Sequence, residues 1–291
     1  MKEIKGTTAV CGLIGNPVEH TLSPLIHNTL SELTGEDLAY VPFLVENEAV
    51  GEAVRGAHAL HIRGLNVTVP HKSAVIPYLC AIDPLAEKIG AVNTLVACEG
   101  GYKGYNTDMP GLYRALVSEG VALEGETVLI LGAGGVGRAV AMMCAVNGAS
   151  DVYLLNRTIS KAKEVADEVN AAAGRDCVTA MALDGYRLLP KKKYIVIQAT
   201  SVGMHPHVED AVIKEKDFYE YVGVGVDLIF NPAETMFMKY AAGAGARTMN
   251  GLKMLLYQGI LAYELWNGVE VTDEQAKAVY QRMKEAMGIH E

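Results

Sequence analysis

Gly132, Gly134 and Gly137 stand at the spacing G-x-G-x-x-G within TVLILGAGGVG, Thr127 to Gly137. Glycines so placed permit a tight turn, a close approach of backbone to a diphosphate, and close packing of a helix on the preceding strand. Ala133, Gly135 and Val136 complete the loop, and the unpaired N–H groups at the start of the following helix suit a dianion. About 20 residues past the glycines, a carboxylate would accept hydrogen bonds from the adenosine ribose of NAD. This chain has Asn156-Arg157-Thr158 at that place. A guanidinium there can pair bidentately with a ribose 2′-phosphate, and Lys161 adds a second positive charge. These residues predict NADP as the cofactor.

A dinucleotide site does not specify a substrate, and four polar clusters upstream are the candidates for that. They are Asn16 to Asn28 (NPVEHTLSPLIHN), Gly64 to Lys72 (GLNVTVPHK), Gly90 to Leu95 (GAVNTL) and Gly104 to Asp108 (GYNTD). Three of them fall at or just after expected strand ends, where sites in open α/β sheets gather. The first sits on an expected helix start, with Ser23 as N-cap and Pro24 at the first helical position.

The elements that must carry these residues alternate. Strands are expected at Ala9 to Ile14, Ala39 to Leu44, Gly64 to Val69, Val92 to Ala97 and Tyr102 to Tyr105, the last two joined by a turn at Glu99-Gly100-Gly101. Helices are expected at Ser23 to Leu33, Glu48 to Ala59, about His71 to Cys80, from Asp83-Pro84 onward, and Pro110 to Glu119. Apolar strands at Thr127 to Leu131, Asp151 to Leu155, Tyr194 to Gln198 and Gly223 to Ile229 alternate with helices, implying right-handed crossovers and a doubly wound parallel sheet. Leu252 to Asn267 and Thr272 to Met287 are two further helices. An α/β fold of two domains follows: a substrate domain over 1–108, completed by 252–291, and a Rossmann-type NADP domain over 109–251.

The 291 residues, half of them hydrophobic, suffice for two cores, and 34 acidic against 25 basic residues give a net charge of -9. That balance argues against nucleic acid or an anionic membrane as partner. Cys11, Cys80, Cys98, Cys144 and Cys177 are scattered without C-x-x-C and read as reduced core thiols of a cytoplasmic protein. The opening MKEIKGTT lacks a signal-peptide core, and no apolar run is long enough to span a bilayer. His205-Pro206-His207 has no companion ligands, so no metal is expected. Lys191 to Lys193 reads as a solvated turn, and Met236, Met238 and Met249 as packing residues.

Taken with Ala199 to Met204 (ATSVGM), Asp227 to Pro232 (DLIFNP) and Gly251 to Gly268 (GLKMLLYQGILAYELWNG), these segments resemble the shikimate dehydrogenase family over nearly the whole chain, in the family's order. The resemblance implies NADP-linked, reversible reduction of 3-dehydroshikimate to shikimate, by a monomer or homodimer. It also implies that the last helices return to the substrate domain and that an interdomain cleft holds both ligands. A quinate/shikimate dehydrogenase using NAD is the closest rival reading, and a nucleotide sensor that has lost catalysis a more distant one.

Within the resemblance, Lys72 and Asp108 match the catalytic pair. Ketone reduction puts a proton on oxygen, and an ammonium can hydrogen-bond the developing alkoxide while a carboxylate orients it. Thr21 and Ser23 would hold the substrate carboxylate, and Asn66, Thr68, Asn93, Asp108 and Gln258 its ring hydroxyls. Thr200, Leu228, Gly251 and Met254 join the glycine loop and Asn156 to Lys161 as cofactor contacts. Two positions depart from the family: Thr21 where serine is usual, and Phe230, near nicotinamide and substrate, where tyrosine is usual. His20, His27 and His71 adjoin these motifs without an assigned proton-transfer role.

Overall fold

The structure, a computed structural model, describes residues 3–289. The chain forms two compact units: residues up to Leu112 with those from Leu255 on, and Tyr113–Met254 between them.

The first unit runs β1 (Ala9–Gly15), α1 (Ser23–Thr34), β2 (Leu38–Leu44), α2 (Val50–Ala59), β3 (Gly64–Val67), β4 (Ala81–Ile82), α3 (Pro84–Ile89), β5 (Thr94–Cys98), β6 (Gly101–Tyr105) and the start of α4 (Asp108–Ser118). Its sheet has the order β2-β1-β3-β5-β6-β4. The first three strands are parallel, and β5 is antiparallel to both β3 and β6. One face closes over a core that includes Val54, Leu65, Val75, Leu95 and Tyr102.

The second unit contains β7 (Thr127–Leu131), α5 (Gly135–Val146), β8 (Asp151–Leu155), α6 (Ile159–Ala173), β9 (Val178–Met181), β10 (Tyr194–Gln198), α7 (Lys216–Tyr219), β11 (Val222–Asp227), α8 (Met236–Gly243) and β12 (Arg247–Met249). Its six strands are all parallel, in the order β12-β11-β10-β7-β8-β9. This is the doubly wound arrangement, with the chain reversing direction across the sheet between β7 and β10. Every residue of β7 and β10 is buried, which explains why neither shows polar alternation.

Helix α9 (Leu252–Asn267) begins in the second unit and ends in the first, and α10 (Asp273–Ala286) follows it, opened by a Thr272–Gln275 capping box. Both serve the first unit's core. The Trp266 indole donates to the Leu95 carbonyl at 2.8 Å over Gly64, where any Cβ would overlap the ring. Arg282 of α10 bridges Thr29 and Glu32 of α1.

Three expectations are corrected. Residues 71–80 are not α-helical: they form turns with one short 3-10 turn, Ile76–Tyr78, because Pro77 inside the span lacks an N–H and crowds the carbonyl four residues back. Ser23 is not the N-cap of α1; Leu22 takes that place, without a side-chain cap. Nor are all five cysteines core thiols, since Cys80 and Cys98 are exposed.

Candidate active site

In the first unit the four polar clusters converge at one end of the sheet. Lys72 follows β3 on a turn fixed from several sides: the His71 N–H bonds the Thr68 carbonyl, the buried His71 ring bonds the Val45 carbonyl at 2.7 Å, and the Val92 N–H bonds the Lys72 carbonyl. Asp108 is the first residue of α4, whose opening N–H groups at 108 and 109 are accepted by the Asn106 side chain. The Lys72 Nζ donates to Asp108 Oδ2 at 2.6 Å, with side chains 33% and 16% exposed. The pair is thus sheltered but reachable, as a group exchanging protons with a ligand must be.

Around it, the structure separates amides with spare capacity from amides without. Asn66 is saturated: its Oδ1 accepts from the Tyr40 hydroxyl at 2.7 Å and from His27 Nε2 at 3.1 Å, and its Nδ2 donates to Asn93 O and Thr94 Oγ1. A ligand contact by Asn66 would have to exchange one of these bonds. Asn93 accepts at Oδ1 from the Thr107 N–H and from two threonine hydroxyls, while its Nδ2 donates to no group among the described residues. Gln258 on α9 donates its Nε2 to the Leu255 carbonyl, and its Oε1 accepts from no group among the described residues. Asn93 therefore offers a donor and Gln258 an acceptor. Thr68 follows β3, half-buried. Thr21 donates to the Ser23 hydroxyl at 3.1 Å, beside the first turn of α1, which holds no acidic residue and suits an anion.

His27 is buried among Tyr40 and Trp266, with ring centroids 4.2 and 5.0 Å away. Because Asn66 Oδ1 can only accept, Nε2 carries the proton and Nδ1 is left without a partner among the described residues. Burial pushes its pKa down to about 3, so the ring stays neutral and serves to aim Asn66. His20 is exposed. Sequence reasoning did not identify the positioning role of Tyr40 and His27, because it depends on pairing across 26 and 39 residues.

In the second unit the glycine loop has the form of a diphosphate cradle. Gly132 adopts φ 107, and a Cβ at Gly137 would overlap the Gly132 carbonyl oxygen, so both glycines are required by backbone geometry. Among the described residues nothing lies within 4 Å of a Cβ at Gly134 or Gly135, leaving open space before the first N–H groups of α5, a helix start with neither a side-chain cap nor an acidic residue in its first turn. Ala133 and Val136 complete this loop. Asn156 ties the loop to the end of β8: its Oδ1 accepts from the Ala133 N–H, and its Nδ2 donates to the Thr158 carbonyl. Arg157 and Lys161 are exposed, and their side chains make no hydrogen bond or ion pair among the described residues. Thr158 occupies the N-cap position of α6 without a side-chain cap. The residues present thus fit NADP: a cradle for the diphosphate and uncommitted cations beyond β8.

A buried network that sequence reasoning also did not identify supports the loops that carry the remaining candidate cofactor residues. Gln198 ends β10 fully buried; its Oε1 accepts from the N–H and hydroxyl of Thr200, and its Nε2 donates to the Thr200 and Val202 carbonyls and to Asp227. Asp227 ends β11 and accepts from the Ile229 N–H and from the Thr235 hydroxyl at 2.5 Å. The loops bearing Thr200, Leu228 and Phe230 are held from below by these groups. Gly251 then passes so close to the Leu228 carbonyl that a Cβ would overlap it, and Met254 follows, half-buried, on α9. The available signal was a glutamine ending the otherwise apolar strand YIVIQ.

Burial pushes the Asp227 carboxyl up to about 6, against the pull of its donors from Thr235, Ile229 and Gln198. The folded chain then holds a proton that the unfolded chain has already lost, so this group's contribution to stability falls as pH rises from about 4 to about 6, by up to roughly 3 kcal/mol. Urea unfolding across that window should show this decline, and Asp227→Asn should flatten it. An equal pH dependence in both proteins would place its origin elsewhere.

Among the described residues, no group of three or more His, Cys, Asp or Glu could hold a metal ion, and no helix is long and apolar enough to cross a membrane. His205 and His207 are exposed on the loop after β10.

Three family models match: the shikimate dehydrogenase substrate binding domain over residues 13–95, shikimate / quinate 5-dehydrogenase over 115–221, and the shikimate 5′-dehydrogenase C-terminal domain over 251–286. A shikimate dehydrogenase (NADP(+)) of Methanothermobacter thermautotrophicus is 42% identical over 286 residues, covering 96% of this chain and 99% of that one. A crystal structure of a shikimate dehydrogenase in complex with NADP+ superposes with TM-score 0.86 at 38% identity, covering 97% of each chain. The Thermus thermophilus enzyme, crystallised with NADP(H) and shikimate, gives TM-score 0.83 at 32% identity, covering 94% of this chain and 99% of that one.

Proposed function

The chain belongs to the shikimate dehydrogenase family, and from that premise we propose that Lys72 and Asp108 manage the proton when 3-dehydroshikimate and shikimate are interconverted. The reaction is the reversible, NADP-dependent reduction of the ketone, a step toward aromatic amino acids. When bound, the cofactor supplies or accepts the hydride. The chain's own residues do the rest. Lys72 hydrogen-bonds the oxygen on which negative charge develops, which stabilises the alkoxide and gives it a proton source. Asp108 holds the ammonium in place from 2.6 Å and faces a neighbouring ring hydroxyl.

The observation that carries this reading is that sheltered but reachable pair beside Asn93, whose amide still has a donor to give. Asn93 and Gln258 contact ring hydroxyls as donor and acceptor, with Thr68 adding a hydroxyl. Thr21 and Ser23 receive the carboxylate without a full positive charge, relying on hydroxyl donors and the start of α1. Asn66 supports this floor from beneath. Arg157 and Lys161 take the 2′-phosphate. The protein works in the cytoplasm as a monomer or homodimer, and its five unpaired cysteines fit a reducing compartment.

Turnover is to be followed with shikimate and with quinate, each with NADP and with NAD. Shikimate with NADP should give the highest kcat/KM of the four. Quinate with NAD exceeding it would move the chain to the rival specificity, to which the Thr21 and Phe230 departures would then be traced. Intact NADPH binding with no turnover in any combination would make it a sensor.

A further inference from the structure

Cys80 and Cys98 are both exposed, and their sulfurs lie 2.6 Å apart. Backbone pairing holds them there. Cys98 is the last residue of β5 and pairs with Gly101 of β6, while the Cys80 N–H donates to the carbonyl of the next residue, Tyr102, at 3.0 Å. The sulfurs therefore meet at the end of one hairpin, and each backbone is anchored to the same strand. The other cysteines are of another kind: Cys11, Cys144 and Cys177 are buried, out of reach of an external disulfide.

We propose that Cys80 and Cys98 form a site of reversible oxidation, closing to an intramolecular disulfide by exchange with low-molecular-weight disulfides. One cysteine, as thiolate, attacks a sulfur of the external disulfide and expels a small thiolate, leaving a mixed disulfide on the protein. The second cysteine, as thiolate, attacks the protein-bound sulfur and expels the other small thiolate. Two protein thiols are oxidised, one external disulfide is reduced to two thiols, and the two protons pass to the released thiolates. Desolvation and the adjoining sulfur push the Cys98 thiol up to about 11, so exchange accelerates as pH is raised.

The crosslink encloses β4, α3, and the turn carrying Val92 and Asn93, the segment whose backbone holds Lys72. Because the sulfurs already adjoin, closure requires little rearrangement and braces this segment in its present form. Constraining the unfolded chain in this way raises its free energy and so shifts the equilibrium toward the folded state.

The test uses the full chain, incubated with oxidised glutathione over a range of pH and then assayed for free thiols and by peptide mapping. Wild type should lose two of its five thiols, yield a peptide linking Cys80 to Cys98, and recover both thiols on reduction. It should also unfold at a higher urea midpoint when oxidised, whereas the Cys80→Ser/Cys98→Ser double variant shows no such change. Each single variant should retain glutathione as a stable adduct. Five free thiols in wild type under all conditions, stable adducts on both cysteines, or oxidation that fails to raise the urea midpoint would each overturn the proposal. The mapping is done on wild type and does not depend on a variant folding.

Discussion

Lys72→Ala is expected to lower shikimate turnover by about 100- to 10,000-fold, while NADPH binding, followed by fluorescence, stays near that of the parent chain. A factor of that size corresponds to about 3–5 kcal/mol of transition-state stabilisation. The alternative is that the Lys72–Asp108 contact at 2.6 Å only braces two turns, and magnitudes separate the two readings. With a third of the lysine side chain exposed, a bracing ion pair is worth about 0–1 kcal/mol, felt as stability and not as rate. The turn carrying Lys72 is held independently by the His71 and Val92 bonds, so the variant should fold. A modest loss of turnover accompanied by a lowered unfolding midpoint would leave the pair a brace and send the search for the proton donor elsewhere.

Arg157→Asp should reverse cofactor choice, lowering the ratio of kcat/KM with NADP to that with NAD by about 100-fold or more. Losing charge-assisted hydrogen bonds to a phosphate costs about 1.5–3 kcal/mol, and the new carboxylate repels the 2′-phosphate while accepting from a ribose hydroxyl. The exposed Arg157 makes no ion pair among the described residues, so the change should disturb stability by no more than about 0.5 kcal/mol. Thermal unfolding checks this control. An unchanged ratio would mean that the phosphate is held by another group, with Lys161 the next to substitute.

Both predictions concern residues whose types could be read directly, and the fold was legible for a similar reason. Strands β7 and β10 are apolar throughout because both faces are covered, which makes them plain in any hydropathy reading. Strands β4 and β12 are only two and three residues long at sheet edges, and β9 alternates weakly, so tertiary pairing and not local pattern creates them. The site was legible as residue types and opaque as bonding. Nothing local distinguishes Asn66, saturated by partners from β2, α1 and β5, from Asn93, which keeps a donor. Likewise Asn156 reads as a ligand beside Arg157, yet both ends of its amide hold the loop. Gln198, the polar end of an apolar strand, hints at a buried partner, but nothing local marks Asp227 as that partner, because their contact spans 29 residues.

The placement of Trp266 has a consequence for the order of events on the ribosome. Its indole seals Gly64 and Leu95 from a position 171 residues later than Leu95, and α10 reaches α1 across a still longer interval. The first unit is translated first but lacks part of its core until the last helices emerge. The second unit is one uninterrupted segment, complete once Met254 is made. The half of the protein begun second is therefore the first able to finish folding, and the nascent first unit must wait with its Trp266 seat uncovered.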